Sequence, residues 1–129
     1  MSTKSLLKVL IADDHRTSRM IVVDALNQLG ISNVAIAGDG EEALKMMMAS
    51  PAHMVISDFN MPKLDGLQLL KALRSYKPTT KTPFLILSGR GDRELVKQAI
   101  VLGANNYLLK PITVPVLKKT IEAVVGRLQ

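Results

Sequence analysis

The sequence predicts an α/β fold, a doubly wound (βα)5 unit with one parallel sheet between two layers of helices. Three observations carry that expectation. Five short β-rich runs recur along the 129 residues. They are near-continuously apolar rather than alternating, the pattern of strands covered on both faces. Stretches with a helical apolar period separate them, and strict alternation with right-handed crossovers gives a parallel sheet flanked on both sides.

The first strand is Lys8-Val-Leu-Ile-Ala12, followed by a helix whose stripe is Ser18, Val22, Ala25, Leu26 and Leu29, with Gly30 as its stop. Asn33-Val-Ala-Ile-Ala37 is the second strand. Asp39, with Glu42 three residues on, has the spacing of a capping box and opens a helix through Met46-Met-Met48, which reads as helix face and core. Met54-Val-Ile-Ser57 is the third strand, and Asp65 can cap a helix carrying Leu69, Leu70 and Leu73. Phe84-Leu-Ile-Leu87 is the fourth. Asp92 can cap the next helix, with Leu95, Val96, Ala99 and Leu102, closed by Gly103. Tyr107-Leu-Leu109 is the fifth strand. Thr113 can cap the last helix, which has Pro115 in its first turn and Leu117, Ile121, Val124 and Leu128 on one face. The segments around Ser50-Pro51 and from Lys77 to Pro83 read as surface connections, so residues 1–129 form a single domain. Periodicity does not fix the order of the strands.

Composition removes several classes of function. With 47% hydrophobic and 22% charged residues the chain is globular. It has no cysteine, hence no disulfide, thiolate metal site or cysteine nucleophile. The N-terminus lacks a signal-peptide pattern and no apolar run approaches the ~20 residues that span a bilayer, so a cytoplasmic protein is expected. Aromatic residues make up 3%, too few for a base-stacking platform. The net charge of +6 is unevenly spread. Residues 1–66 carry six Lys/Arg against eight Asp/Glu, and residues 67–129 carry eleven against three. The bases are scattered singly apart from Lys118-Lys119, which suits solvated helix faces or a docking surface for an acidic partner better than nucleic acid.

In open α/β sheets, ligands bind beyond the carboxyl ends of the strands. Strand one ends in Asp13-Asp14, strand three in Ser57-Asp58-Phe59-Asn60, strand four in Ser88-Gly89 and strand five in Lys110-Pro111. Three carboxylates, a hydroxyl and an ammonium thus converge on one rim. Clustered carboxylates repel and persist as anions cheaply only beside a cation. An all-oxygen set without His or Cys favours a hard ion, and carboxylates with waters suit Mg²⁺. Such an ion would shield an incoming phosphoryl group while a Lys and a Ser hold its oxygens from the other side, with a carboxylate as the candidate nucleophile. Taken singly, each residue has a plainer role: Asp13 or Asp14 as a helix N-cap, Asp58 as a turn former, Ser88-Gly89 as a loop, Lys110-Pro111 as a strand end. His15 and His53 have no partner spacing that suggests a ligand or a catalytic base.

Asp13-Asp14, Asp58 with Asn60-Met61-Pro62 and Asp65-Gly66, Ser88-Gly89, Tyr107 and Lys110-Pro111 together resemble the receiver domain of two-component response regulators, over essentially the whole chain from about Lys8. The segment from Val55 to Gly66 is most similar to the stand-alone chemotaxis regulators of that family. The resemblance implies a flavodoxin-like three-layer sandwich with strand order 2-1-3-4-5. It implies that Asp58 accepts a phosphoryl group from a chemotaxis-type histidine kinase. Asp14, Asp58 and the backbone carbonyl of Asn60 would ligate Mg²⁺, with Asp13 acting through water. Lys110 would pair with the phosphoryl group across a cis Lys110-Pro111 bond. Ser88, where the family more often has Thr, would donate to a phosphoryl oxygen, and Tyr107 would swing inward as Ser88 is drawn in. Asn60 and Arg90 would tune dephosphorylation. Without an output domain, the signal would leave by docking, as a monomer, on the flagellar motor switch; a phosphate sink that drains the kinase is the alternative. The docking face would be the fourth helix, fifth strand and fifth helix, where residues 88–129 carry seven Lys/Arg against three acids. No enzymatic turnover beyond its own aspartyl phosphorylation and dephosphorylation is expected. A haloacid-dehalogenase-like phosphatase would need a second Asp at position 60, where Asn60 stands, and a flavodoxin-like electron carrier would need a hydroxyl-rich loop after strand one.

Overall fold

The computed structural model describes residues 6–126. Five strands, β1 (Lys8–Ala12), β2 (Asn33–Ala37), β3 (Met54–Asp58), β4 (Phe84–Ser88) and β5 (Asn106–Leu109), alternate with five helices. These are α1 (Arg16–Gln28), α2 (Gly40–Ala49), α3 (Gly66–Ser75), α4 (Arg93–Leu102) and α5 (Val114–Val125), with a 3-10 turn at Lys77–Thr79. The sheet is wholly parallel in the order β2-β1-β3-β4-β5, as the resemblance implied. Arg127 and Leu128, counted above as a basic and a core residue, lie outside the described residues.

Alternation along each strand divides the core in two. Val9, Ile11, Met54, Ile56, Leu85, Leu87 and Leu108 meet Val22 and Leu26 of α1 and Leu117 and Ile121 of α5. Leu10, Ala12, Val55, Phe84 and Ile86 meet Ala43 and Met47 of α2, Leu69, Leu70 and Leu73 of α3, and Ala99 of α4. Coverage on both faces holds for β3 and β4, which are buried throughout, and nearly so for β1. It fails at the edges. Ile36 in β2 and Leu109 in β5 are exposed because each edge strand has a neighbour on one side only.

The helix starts differ from their expected chemistry in three places, Asp39, Asp92 and Thr113, while Asp65 caps its helix as expected. Asp39 accepts from Glu42 N at 2.8 Å, but Glu42 does not return the bond, so the expected capping box is half formed. The full box lies at Asp65 and Gln68, whose side chains each bond the other's backbone N–H. Asp92 precedes α4 without capping it; its Oδ2 turns back to accept from Gly89 N at 2.7 Å. Thr113 likewise makes no side-chain cap, and α5 starts on Pro115 in its first turn. Of the three consecutive methionines, Met47 is buried, Met46 partly so, and Met48 exposed.

The connection from Lys77 to Pro83 is more than surface chain. Thr79 is fully buried, and its Oγ1 donates to Leu73 O at 2.7 Å, closing the end of α3. Arg74 ties this turn to the end of α4. It donates to Gly103 O from Nη2 (2.9 Å) and Nε (3.2 Å), to Asn105 Oδ1 (3.3 Å), and to Thr79 O (3.2 Å). Burial lowers the Arg74 pKa from its ordinary value, though a guanidinium stays charged in a protein. Gly103 ends α4 at φ 109°, a left-handed geometry that a side chain disfavours, and a Cβ there would also press on Arg74.

Candidate functional site

Register explains why the rim residues meet. Ala12 pairs with Ser57, so Asp13 and Asp58 follow at the same level on neighbouring strands. Asp58 pairs with Leu87 and Ser88 with Leu109, so Ser88 and Lys110 each stand one residue further along the rim. The expected convergence of Asp13, Asp14, Asp58, Ser88 and Lys110 is therefore a property of the sheet itself.

Asp58 is 5% exposed. Its Oδ1 accepts from Phe59 N at 2.8 Å and lies 3.4 Å from Lys110 Nζ. The other oxygen, Oδ2, faces the acidic pair and His15. Asp13 is fully buried, and its Oδ1 accepts from His15 N at 2.9 Å. Asp14 stands more open beside it. The Lys110-Pro111 bond is cis, as expected. Ser88 is 2% exposed, and its Oγ reaches only Leu108 O, at 3.5 Å, the outer limit of a hydrogen bond. Asn60 and Arg90 are exposed on their loops. The Tyr107 ring is turned to solvent at 47% exposure, in a groove shared with Ser88, Arg90, Arg93 and Lys97.

Gly66 braces the end of β3 from behind. Its N–H donates to Phe59 O at 2.8 Å, and an added Cβ would stand 2.2 Å from Asp58 O. Only a residue without a side chain lets α3 start this close to the end of β3.

The two histidines part company. His53 Nδ1 accepts from Lys8 N at 2.9 Å, an architectural bond at the opposite end of the sheet, in keeping with the absence of a site role. His15 corrects the expectation. Its Nδ1 lies 3.1 Å from Asp14 Oδ1, 3.5 Å from Asp13 Oδ1 and 3.6 Å from Asp58 Oδ2. Sequence spacing could not show this, because the register of β1 against β3 brings Asp58 to a residue 43 positions earlier.

Asp13, Asp14, His15 and Asp58 each offer one ligand atom, all within 4.8 Å of one another. Asp13 Oδ2 is buried with no hydrogen-bond partner. A buried carboxylate oxygen left unpaired is costly, and a divalent cation is a fitting partner for it in this setting. The carboxylates of this set therefore fit the Mg²⁺ that receiver domains bind at their acidic pocket.

A five-stranded parallel α/β domain with a buried Asp between an acidic pair and a Lys defines the receiver class of signalling domain. Comparison with known proteins agrees. The family model described as "Response regulator receiver domain" matches residues 9–122. A relative from Rhizobium etli named "Probable chemotaxis protein CheY" is 52% identical over 129 residues, covering all of both chains. "Chemotaxis protein CheY" of Pseudomonas aeruginosa is 36% identical over 121 residues, 94% of this chain and 98% of its own. Among solved structures, the chemotaxis response regulator CheY4 of Vibrio cholerae superimposes with a TM-score of 0.83 at 33% identity, covering 92% of this chain and 98% of its own. The receiver domain of NtrX from Brucella abortus gives 0.84 at 28%, with the same coverages. The chain belongs to the response regulator receiver family, and within it is similar to the chemotaxis regulators called CheY. Receiver domains of this kind are signalling proteins rather than classical enzymes. No helix among the described residues is long and apolar enough to cross a membrane.

Proposed function

We propose that this chain is a single-domain, phosphorylation-controlled docking switch of chemotaxis that takes a phosphoryl group on Asp58 from a histidine kinase and signals to the flagellar motor switch. The observation that carries the reading is the division of the Asp58 surroundings, with Lys110 Nζ on one side and the acidic pair on the other. In the transfer, a carboxylate oxygen of Asp58 bonds to phosphorus as the P–N bond of the kinase phosphohistidine breaks, and the leaving imidazole keeps the electron pair. Lys110 and Ser88 Oγ hold phosphoryl oxygens. Asp14, Asp58 and the Asn60 carbonyl would hold Mg²⁺, with Asp13 behind a water. The ion supplies charge neutralisation when bound. Asn60 and Arg90, each two residues beyond a rim residue and exposed, would tune hydrolysis.

Two features support the output step. Ser88 Oγ is weakly held, so new anionic oxygens can re-aim it. Tyr107 is already at the surface beside it, and the loop movement that accompanies Ser88 opens room for the ring to leave solvent. The face of α4, β5 and α5 carries exposed Arg90, Arg93, Lys97, Lys118 and Lys119, which suits an acidic amphipathic partner segment.

The test is titration of an acidic motor-switch peptide with protein alone and with protein kept phosphorylated by excess phosphodonor, at two salt concentrations. Tighter binding by the phospho-form, weakening as salt rises, is expected. Lys118→Glu with Lys119→Glu should reduce it several-fold. Equal affinity in both states would remove the switch, and phosphorylation without any peptide binding would move the chain to the sink role.

The metal part has its own measurement. Mg²⁺ at a hundredfold excess over its Kd should stabilise the fold by roughly 2.7 kcal/mol and raise the Tm accordingly. Asp13→Asn keeps an acceptor for His15 N while removing one of three mutually repelling charges. It should raise the Tm in the absence of metal and shrink the response to Mg²⁺. A Tm unmoved in both experiments would mean that the acids do not share a site.

A further inference from the structure

The acidic cleft holds a donor that an all-oxygen Mg²⁺ site does not need. His15 turns its imidazole back over the pocket, with Nδ1 at 3.1, 3.5 and 3.6 Å from carboxylate oxygens of Asp14, Asp13 and Asp58. One nitrogen thus lies within ion-pair distance of three carboxylates at once. Ligands of one dication at about 2.1 Å stand about 3.0 Å apart in cis octahedral positions and about 3.4 Å apart on a tetrahedron. The three His15 separations lie close to that range, and the ligand atoms of the whole group fall within 4.8 Å of one another. An independent observation points the same way: Asp13 Oδ2, in a fully buried side chain, lacks any partner.

We propose that His15 is a fourth protein ligand in this cleft, through Nδ1, and that it raises the affinity of a magnesium-type pocket for a borderline first-row dication such as Zn²⁺ relative to Mg²⁺. Imidazole nitrogen suits Zn²⁺ and its neighbours in the transition series, whereas Mg²⁺ prefers oxygen and keeps its waters. At 62% side-chain exposure, His15 stands on the solvent side of the site, where an ion can reach it without opening the fold. The inference rests on the metal-pocket reading above and adds to it a nitrogen ligand that shifts the balance between ions.

The experiment is calorimetric titration of the whole chain with Zn²⁺ and with Mg²⁺, for wild type and His15→Phe, which keeps a ring of similar shape. Imidazole ¹⁵N spectra of the wild type with Zn²⁺ accompany it. The expected result is a Zn²⁺-to-Mg²⁺ affinity ratio at least about tenfold lower in His15→Phe, with the Zn²⁺-induced shift on Nδ1 rather than Nε2 of His15. A second variant, His15→Gln, repeats the measurement should the Phe ring disturb the fold. An unchanged ratio would overturn the proposal, as would a parallel gain for both ions, the mark of a cationic side chain merely competing with metal. If wild type binds neither ion, the metal-pocket reading falls as well. If Mg²⁺ binds and supports labelling from a phosphodonor while the ratio stays fixed, only the role of His15 is lost.

Discussion

Asp58→Asn is expected to abolish the mass gain that a small acyl phosphate and Mg²⁺ produce in the wild type. Asp58 ends a strand that is buried along its whole length, and it is itself 5% exposed, so its position depends on the sheet rather than on a loop. Asn occupies the same volume and still accepts from Phe59 N, so the fold should survive. What disappears is the anionic oxygen able to attack phosphorus, while Lys110 remains 3.4 Å away with no carboxylate to pair. Intact-mass measurement after incubation reads the result directly. Label persisting on the variant, mapped to Asp13 or Asp14, would reassign the acceptor.

Gly66→Ala should cost substantial stability, because the added methyl has no room behind the end of β3. The new Cβ would lie 2.2 Å from Asp58 O, 3.0 Å from Phe59 Cα and 3.1 Å from Asp58 C. All three are backbone atoms of Asp58 and Phe59, so no side chain can swing aside. Either α3 backs away, losing the Gly66 N to Phe59 O bond, or Asp58 shifts within its pocket. Overpacking of this kind costs about 3 kcal/mol, or roughly 12 °C in Tm at about 4 °C per kcal/mol. Phosphorylation should slow as well, because the acceptor is displaced. Gly91→Ala is the control, since a Cβ there meets nothing within 4 Å. A Gly66→Ala protein that melts and labels like the wild type would disprove the close approach.

The rim was legible in the sequence because the strands are apolar and the chemistry begins where they stop. Asp13, Asp58, Ser88 and Lys110 each mark the end of a hydrophobic run, and a parallel register turns four such ends into one neighbourhood. What was not legible depends on distances the chain order hides. The His15 imidazole meets Asp58 only through the pairing of β1 with β3. Arg74 finds Gly103 and Asn105 across 29 and 31 residues. Exposure of Ile36 and Leu109 follows from strand order, which periodicity does not carry. Asp39 and Asp92 show a different limit. A short acidic side chain before a helix can bond forward into the first turn or back into the loop, and local sequence does not choose between them.

The Arg74 bonds have a mechanical consequence. They moor the foot of α4, at Gly103, to the end of α3, and Asn105 extends the mooring by accepting from Phe84 N as well as from Arg74. The head of α4 has no such anchor: its side-chain cap is missing, and the loop before it contains Gly91 with open space around it. A rod fixed at one end pivots rather than slides. Ten residues make α4 about 15 Å long, so a shift of about 1 Å at the Ser88 end would tilt it by about 4° about Arg74. Amide exchange should then be slow from Gly103 to Asn105 and fast at Arg90 and Gly91. Arg74→Met would release the pivot and let the same push drift the whole helix along the sheet.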